Sequence, residues 1–150
     1  MRVWRLARAA HAANPLSGWG AAIAGGRWNS PGVRIAYTST SRPLAVLEML
    51  VHVTRDTVPA DMILVPVDVP TNLIDEAAAL PSNWDDLPYS AGARKFGDRW
   101  IASGSSAALL VPSVALPAER NLLVNPAHAV FRRVRILAPE AFTFDRRLLS

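Results

Sequence analysis

Residues 25–52 constrain the fold of this 150-residue chain more than any other stretch. They read GGRWNSPG, then VRIAYTSTS, then RPLAVLEMLVH. A glycine pair delivers one arginine, Arg27. A short β-rich run ends near Tyr37. An apolar helical pattern then carries a single carboxylate, Glu48. Ser41 is a good N-cap with Pro43 in the first turn behind it, so a strand is expected to hand over directly to a helix. That loop–strand–helix unit, with arginine, tyrosine and glutamate recurring through it, suits a phosphate-bearing aromatic substrate better than a plain core.

The rest of the chain fits around this unit. A chain of this length makes one ordinary domain, expected over residues 1–150, and its 51% hydrophobic content can fill a core. Residues 1–6 alternate as a short strand, and residues 8–33 read as an irregular wrapping segment. A strand is expected over 34–38 and a helix from Ser41 to about Val53. Residues 62–69 predict a strand in which Pro66 suggests an edge or a bulge. Residues 70–90 mix proline, asparagine and aspartate and read as a surface excursion. Ser90 opens a second helix that Gly104 ends. Further strands are expected over 108–112, 131–137 and 141–145, and residues 121–124 are another apolar piece. Short strands with a few helices give an α+β fold.

Composition excludes several classes. No cysteine is present, which removes disulfides, thiol nucleophiles and cysteine-type zinc sites, and fits a reducing cytoplasm. His11, His52 and His128 show no HExxH spacing, so no metal is expected. No apolar run reaches membrane-spanning length, and arginines break the basic N-terminus, so neither a membrane span nor a signal peptide is expected. The net charge is +4, carried almost wholly by arginine, with Lys95 the only lysine. This permits an anionic substrate or an acidic partner. The basic residues form no stripe, so direct nucleic-acid binding is not expected. Codon bias alone also raises Arg, Ala, Pro and Gly together, so the arginine count carries no message by itself.

Glu48 is the first candidate for chemistry. Its helix is apolar almost all round and should be mostly buried, so the carboxylate needs a partner or a function. A buried salt bridge or an exposed helix edge explains it equally simply, and periodicity alone favours these. His52, one helical turn on, can share its face. Arg27 follows glycines that allow close backbone approach to a ligand, and it can be aimed at phosphate or lie solvated in a turn. Trp28 offers a stacking face or a core anchor. Asn29 can brace the loop. Tyr37 can stack on a flat ring or donate its hydroxyl, or be a half-buried strand tyrosine. Ser113 ends a strand without a GxSxG frame, so it is not a hydrolase nucleophile.

Taken together, GWGA with GGRWNSPG, then AYTSTS, LAVLEMLVH, LLVPSVALPAERNLLVNPAH and FDRRL resemble the RES domain family. The likeness runs from WRL at the start to Leu148 and is thinnest over residues 70–90. It implies a fold like that of ADP-ribosyltransferase toxins. It implies a cytoplasmic toxin of a bacterial toxin–antitoxin pair, held by an Xre-like antitoxin. It implies NAD as substrate rather than cofactor, cleaved at the nicotinamide–ribose bond by hydrolysis or phosphorolysis. In some family members the ADP-ribose passes to a protein. The residues that name the family map onto Arg27, Glu48 and Ser113, with Tyr37 as the active-site tyrosine. The resemblance implies that Glu48 stabilises the ribosyl cation and that Arg27 clamps the substrate's phosphate or ribose side. Tyr37 is then expected to stack on nicotinamide or orient the ribose, and Ser113 to bond nicotinamide or position Arg27. Trp28, Asn29 and His52 complete the expected binding set. A non-catalytic, partner-binding RES-like module is the competing class, and nicotinamide release from NAD separates the two.

Overall fold

A computed structural model describes all residues, 1–150. Eight strands are present: β1 (Arg2–Arg8), β2 (Ala36–Ser39), β3 (Met62–Asp68), β4 (Ile74–Glu76), β5 (Ala108–Pro112), β6 (Arg120–Val124), β7 (Arg135–Ile136) and β8 (Glu140–Phe142). Three α-helices accompany them: α1 (Trp19–Ala24), α2 (Arg42–Leu50) and α3 (Ala91–Ser103). The strands form one sheet in the order β4-β5-β6-β2-β1-β3-β7, with β8 also on β3. Every pairing is antiparallel except β4–β5. No helix is long and apolar enough to cross a membrane.

The two long helices form where the caps demand. Ser41 Oγ accepts from Leu44 N at 3.2 Å and Ser90 Oγ from Ala93 N at 3.0 Å, so each first turn has one orphan donor satisfied. α3 stops at Gly104, which adopts φ 58°.

Three apolar clusters fill the molecule. Val3, Ala7, Val65, Val67, Leu122 and Val124 pack on one face of the sheet. On the opposite face, α3 and the loop after the glycine pair bury Trp28, Ala93 and Trp100 against Leu109, Val111 and Leu123. Beside them, α2 packs Ala45, with Val46 and Met49, on Leu6, Met62 and Leu64, and Phe144 and Leu149 close the cluster. α2 and α3 therefore share a face, with space between them.

Several expectations are corrected. Residues 8–33 contain α1, whose N-cap is Gly18 rather than a capping side chain, so no polar cap announced it. α2, the helix expected from Ser41, ends at Leu50 instead of about Val53. It is less buried than its apolar pattern implies, because only Leu44 and Ala45 are fully covered. Strand 34–38 begins two residues later, at Ala36. The run 131–137 starts as a 3-10 turn (Phe131–Arg133), leaving only two strand residues, and the last strand is Glu140–Phe142 rather than 141–145. Pro66 is on neither an edge nor a bulge. It pairs opposite Trp4, and on its other side it falls between the residues that pair β7 and β8. Its carbonyl accepts from Leu137 N at 2.9 Å, so its missing donor faces that gap and costs no ladder bond.

α3 approaches the Arg27 loop at Gly97, where a Cβ would overlap the Trp28 carbonyl. Gly97→Ala is expected to destabilise the protein by at least ~1–3 kcal/mol through overpacking against backbone, measured as a lower urea midpoint with an unchanged slope.

Candidate active site

β1 and β2 are neighbours in the sheet but pair at one position only, Trp4 opposite Ser39. Away from that pair, Arg5 bridges the two strands, donating from Nη1 to the Tyr37 carbonyl at 2.8 Å. A cleft of about 950 Å³ opens here. Trp4, Arg5, Tyr37 and Ser39 line its floor, Glu48, Met49 and His52 one wall, and Arg27, Leu87 and Tyr89 the other.

The wall carrying Arg27 is built by a network of hydrogen bonds. Tyr37 Oη donates to Asn29 Oδ1 at 2.7 Å and accepts from Trp28 N at 3.1 Å. Asn29 Nδ2 donates to the carbonyls of Ala21 (2.8 Å) and Val33 (2.9 Å). Ser30 donates from N and Oγ to the Asp98 carboxylate on α3. Gly26 is needed because a Cβ there would lie 2.8 Å from Tyr37 Oη. Burial pushes the Tyr37 phenol well above its ordinary range, so it stays protonated at neutral pH.

Arg27 projects from this loop. Its Nη1 donates to the carbonyls of Trp84 (2.7 Å) and Asp86 (2.9 Å), and its guanidinium lies 4.9 Å from the Tyr89 ring centroid. Trp84 stacks on Trp28 at 6.0 Å. Residues 84–89 are thus a strap that forms part of the cleft wall, a role that the reading of 70–90 as a surface excursion did not include, although most of the stretch is exposed. The same stretch contributes β4 to the sheet edge. Nε and Nη2 of Arg27 carry no protein hydrogen bond and remain for a ligand.

Glu48 faces the cleft from α2 and is half-buried. No cation pairs with it. Ser113 Oγ and Asn121 Nδ2 both donate to its Oε1, each at 2.6 Å, and Oε2 accepts nothing. Of the two explanations that periodicity favoured, a buried salt bridge or an exposed helix edge, neither holds: two neutral donors bind a half-buried carboxylate, so its charge is held but not cancelled.

The site residues expected from the sequence separate into two layers. Arg27, Trp28, Tyr37, Glu48 and His52 line the cleft. His52 does so from the exposed turn beyond α2 and not from a helical face shared with Glu48. Trp28 is a core anchor, 3% exposed, that shows little of itself to the cleft. Asn29 and Ser113 are wholly buried behind the walls. Asn29 braces the loop as expected but does not line the cleft. Ser113 does not bond Arg27; it accepts from Leu116 N at 2.9 Å and fixes Glu48.

The sequence reading missed Trp4, Arg5, Asn121 and the strap. Trp4 Nε1 and Arg5 Nε are buried without any partner. Burial also lowers the Arg5 pKa from its ordinary value. An arginine inside the strand pattern VWRL was the one available signal for this.

Tyr37→Phe keeps the ring but strands the Asn29 carbonyl oxygen and the Trp28 N–H. It is expected to cost ~1–3 kcal/mol in denaturant unfolding, and no loss of stability would show that the loop is held by packing alone.

The comparisons with known proteins agree with one another. The RES domain family model matches residues 2–145. Over 153 aligned residues the chain is 40% identical to the Prs ADP-ribosylating toxin of Sphingobium sp., covering 97% of this chain and 95% of that protein. It is 36% identical to Toxin Res of Photorhabdus laumondii over 100% of this chain and 98% of that one. The crystal structure of the M. tuberculosis MbcT–MbcA toxin–antitoxin complex matches with a TM-score of 0.78 and 18% identity, over 95% of this chain and 84% of that chain. This last likeness is one of fold, and it agrees with the α+β toxin fold expected from the motifs. With the family model spanning almost the whole chain, this protein belongs to the RES domain family.

Proposed function

We propose that this protein is the toxin of a toxin–antitoxin pair and that it cleaves the nicotinamide–ribose bond of NAD in the cytoplasm. One observation carries the reading: a carboxylate with one oxygen anchored and the other free stands in a cleft whose opposite wall offers unused donors. Those donors are Nε and Nη2 of Arg27. The two relatives named as toxins support the biological role.

Breaking this bond leaves neutral nicotinamide and an oxocarbenium-like ribosyl centre, so no strong general acid is required. In this reading Glu48 Oε2, which accepts no protein hydrogen bond, holds the 2′-hydroxyl and stabilises the positive charge as it grows. The free edge of Arg27 suits the diphosphate. The Tyr37 hydroxyl is fully engaged, so the ring face is what it offers, which favours stacking over orienting the ribose. Water or phosphate completes the reaction by bonding to the anomeric carbon. ADP-ribose as product identifies water as the acceptor, and its 1″-phosphate identifies phosphate.

A second reading has a specific basis. The relative at 40% identity is named an ADP-ribosylating toxin. Val51 and Leu87, 60% and 75% exposed, line this cleft and suit a protein surface brought up to receive the ADP-ribose. Radiolabel from NAD appearing on a protein, rather than in free ADP-ribose, would select this route.

The partner follows from the same chemistry. An Xre-like antitoxin that silences the enzyme by filling the cleft would present a carboxylate to Arg27, in place of substrate phosphate. Inhibition should then compete with NAD. An antitoxin that still inhibits fully after every cleft-facing residue is trimmed would exclude this block.

Glu48→Gln should retain the fold and lose about 10²–10³ in nicotinamide release, as expected for removal of one preorganised charge; turnover near the wild-type rate would remove Glu48 from the chemistry. Arg27→Lys should raise KM and lower kcat together, because an ammonium cannot both hold the strap carbonyls and fork onto phosphate. Unchanged kinetics in the lysine variant would count against the clamp.

A further inference from the structure

We propose that Asn121 is a positioning residue for Glu48, and that a cross-strand relay from Ser39 through Asn121 sets which carboxylate oxygen meets the substrate. This rests on the reading of Glu48 as the reacting carboxylate. A carboxylate only accepts, so Asn121 must turn its NH₂ group to Glu48 and its carbonyl away. The carbonyl Oδ1 accepts from Ser39 Oγ at 2.8 Å while Nδ2 donates to Glu48 Oε1 at 2.6 Å. Ser39 is directly opposite Asn121 in the β2–β6 register, so the amide is oriented by two adjoining interior strands. Ser113, in the turn after β5, supplies the second bond to the same oxygen.

The two donors differ in what surrounds them. Ser113 is sealed behind the wall, whereas Asn121 and Ser39 both line the cleft beside Glu48. Asn121 therefore stands at the boundary where substrate would displace water. Removing it frees the carboxylate to rotate about Ser113 and exposes Oε1 as well as Oε2 to solvent. A misplacement on the scale of an ångström is enough to cost about 10²-fold in an aligned site. A neutral amide also leaves the carboxylate charge whole for the ribosyl cation, which an arginine or lysine at this position would not.

The test compares nicotinamide release by the purified full chain for wild type, N121A, N121D, S39A and E48Q. Rates are taken across pH, with urea midpoints alongside. N121A should lose about tenfold to 10²-fold in kcat with little change in KM. N121D faces a carboxylate with a carboxylate, which disfavours the ionised form of Glu48. The acid limb of its kcat–pH profile should therefore move to higher pH. S39A, which leaves Asn121 in place but unoriented, should show a smaller fall in kcat with a near-native midpoint. A purely structural role would lower the urea midpoint and leave the acid limb where it is. Wild-type kcat in N121A, or an unmoved limb in folded N121D, overturns the proposal. If both Asn121 variants fail to fold, S39A decides, and wild-type kcat in S39A then overturns it. The E48Q control separates the two levels. An inactive E48Q beside an unaffected N121A sinks only this inference, and an active E48Q removes the Glu48 reading and this inference with it.

Discussion

The phenol of Tyr37 has one proton to donate and lone pairs to accept with, and the loop bearing Arg27 uses both. Its bonds to Asn29 Oδ1 and Trp28 N tie that loop to β2. Asn29 then gathers the carbonyls of Ala21 and Val33, which closes α1 and the loop end into the same unit. Arg27 leaves this rigid base and holds the 84–89 strap by two carbonyls. The wall opposite Glu48 is thus tied to β2 through one hydroxyl, while Ser30 ties it to Asp98 on α3. Burial keeps that hydroxyl protonated, so the arrangement does not depend on pH near neutrality.

The cleft itself follows from a sheet that is continuous in order but nearly unzipped between β1 and β2. A fully paired ladder there would leave no space for a ligand. The single pair at Trp4 and Ser39 keeps the two halves in register, and Arg5 spans the remainder through the Tyr37 carbonyl. The cost is visible in two buried donors with no partner, Trp4 Nε1 and Arg5 Nε. Unsatisfied buried donors are rare in folded proteins and mark places where a ligand or water completes the structure. The cleft's complementary halves come from its walls: the free edge of Arg27 for an anion, and the Glu48 carboxylate for a developing cation.

Local signals identified the elements that carry the chemistry but not the way those elements meet. Ser41, Ser90 and Gly104 mark helix ends through bonds made within three or four residues, so α2 and α3 were legible. α1 lacks a capping side chain, and β4 and β7 are three and two residues long, below what alternation can reveal. The strap was read as surface because its proline and aspartate content is that of a loop. What makes it a wall is Arg27, 57 residues from Trp84. Asn121 looked like the start of an apolar run, and nothing near it in sequence hints that its amide is aimed at Glu48.

By itself the sequence determined that one arginine, one tyrosine and one carboxylate would sit on a loop, a strand and a helix in direct succession. Glycine geometry, a serine N-cap and apolar periodicity act over a few residues and need no other part of the chain. The motifs also determined the RES family membership. The tertiary structure alone decided the state of Glu48. Its two donors come from 65 and 73 residues away, and they are brought to one oxygen only because β5, β6 and β2 pair in a particular register under α2. It decided too that Ser113 and Asn29 stand behind the cleft while Arg5 and Trp4 stand in it. Side-chain direction across a split sheet depends on how the strands diverge, and no local pattern records that.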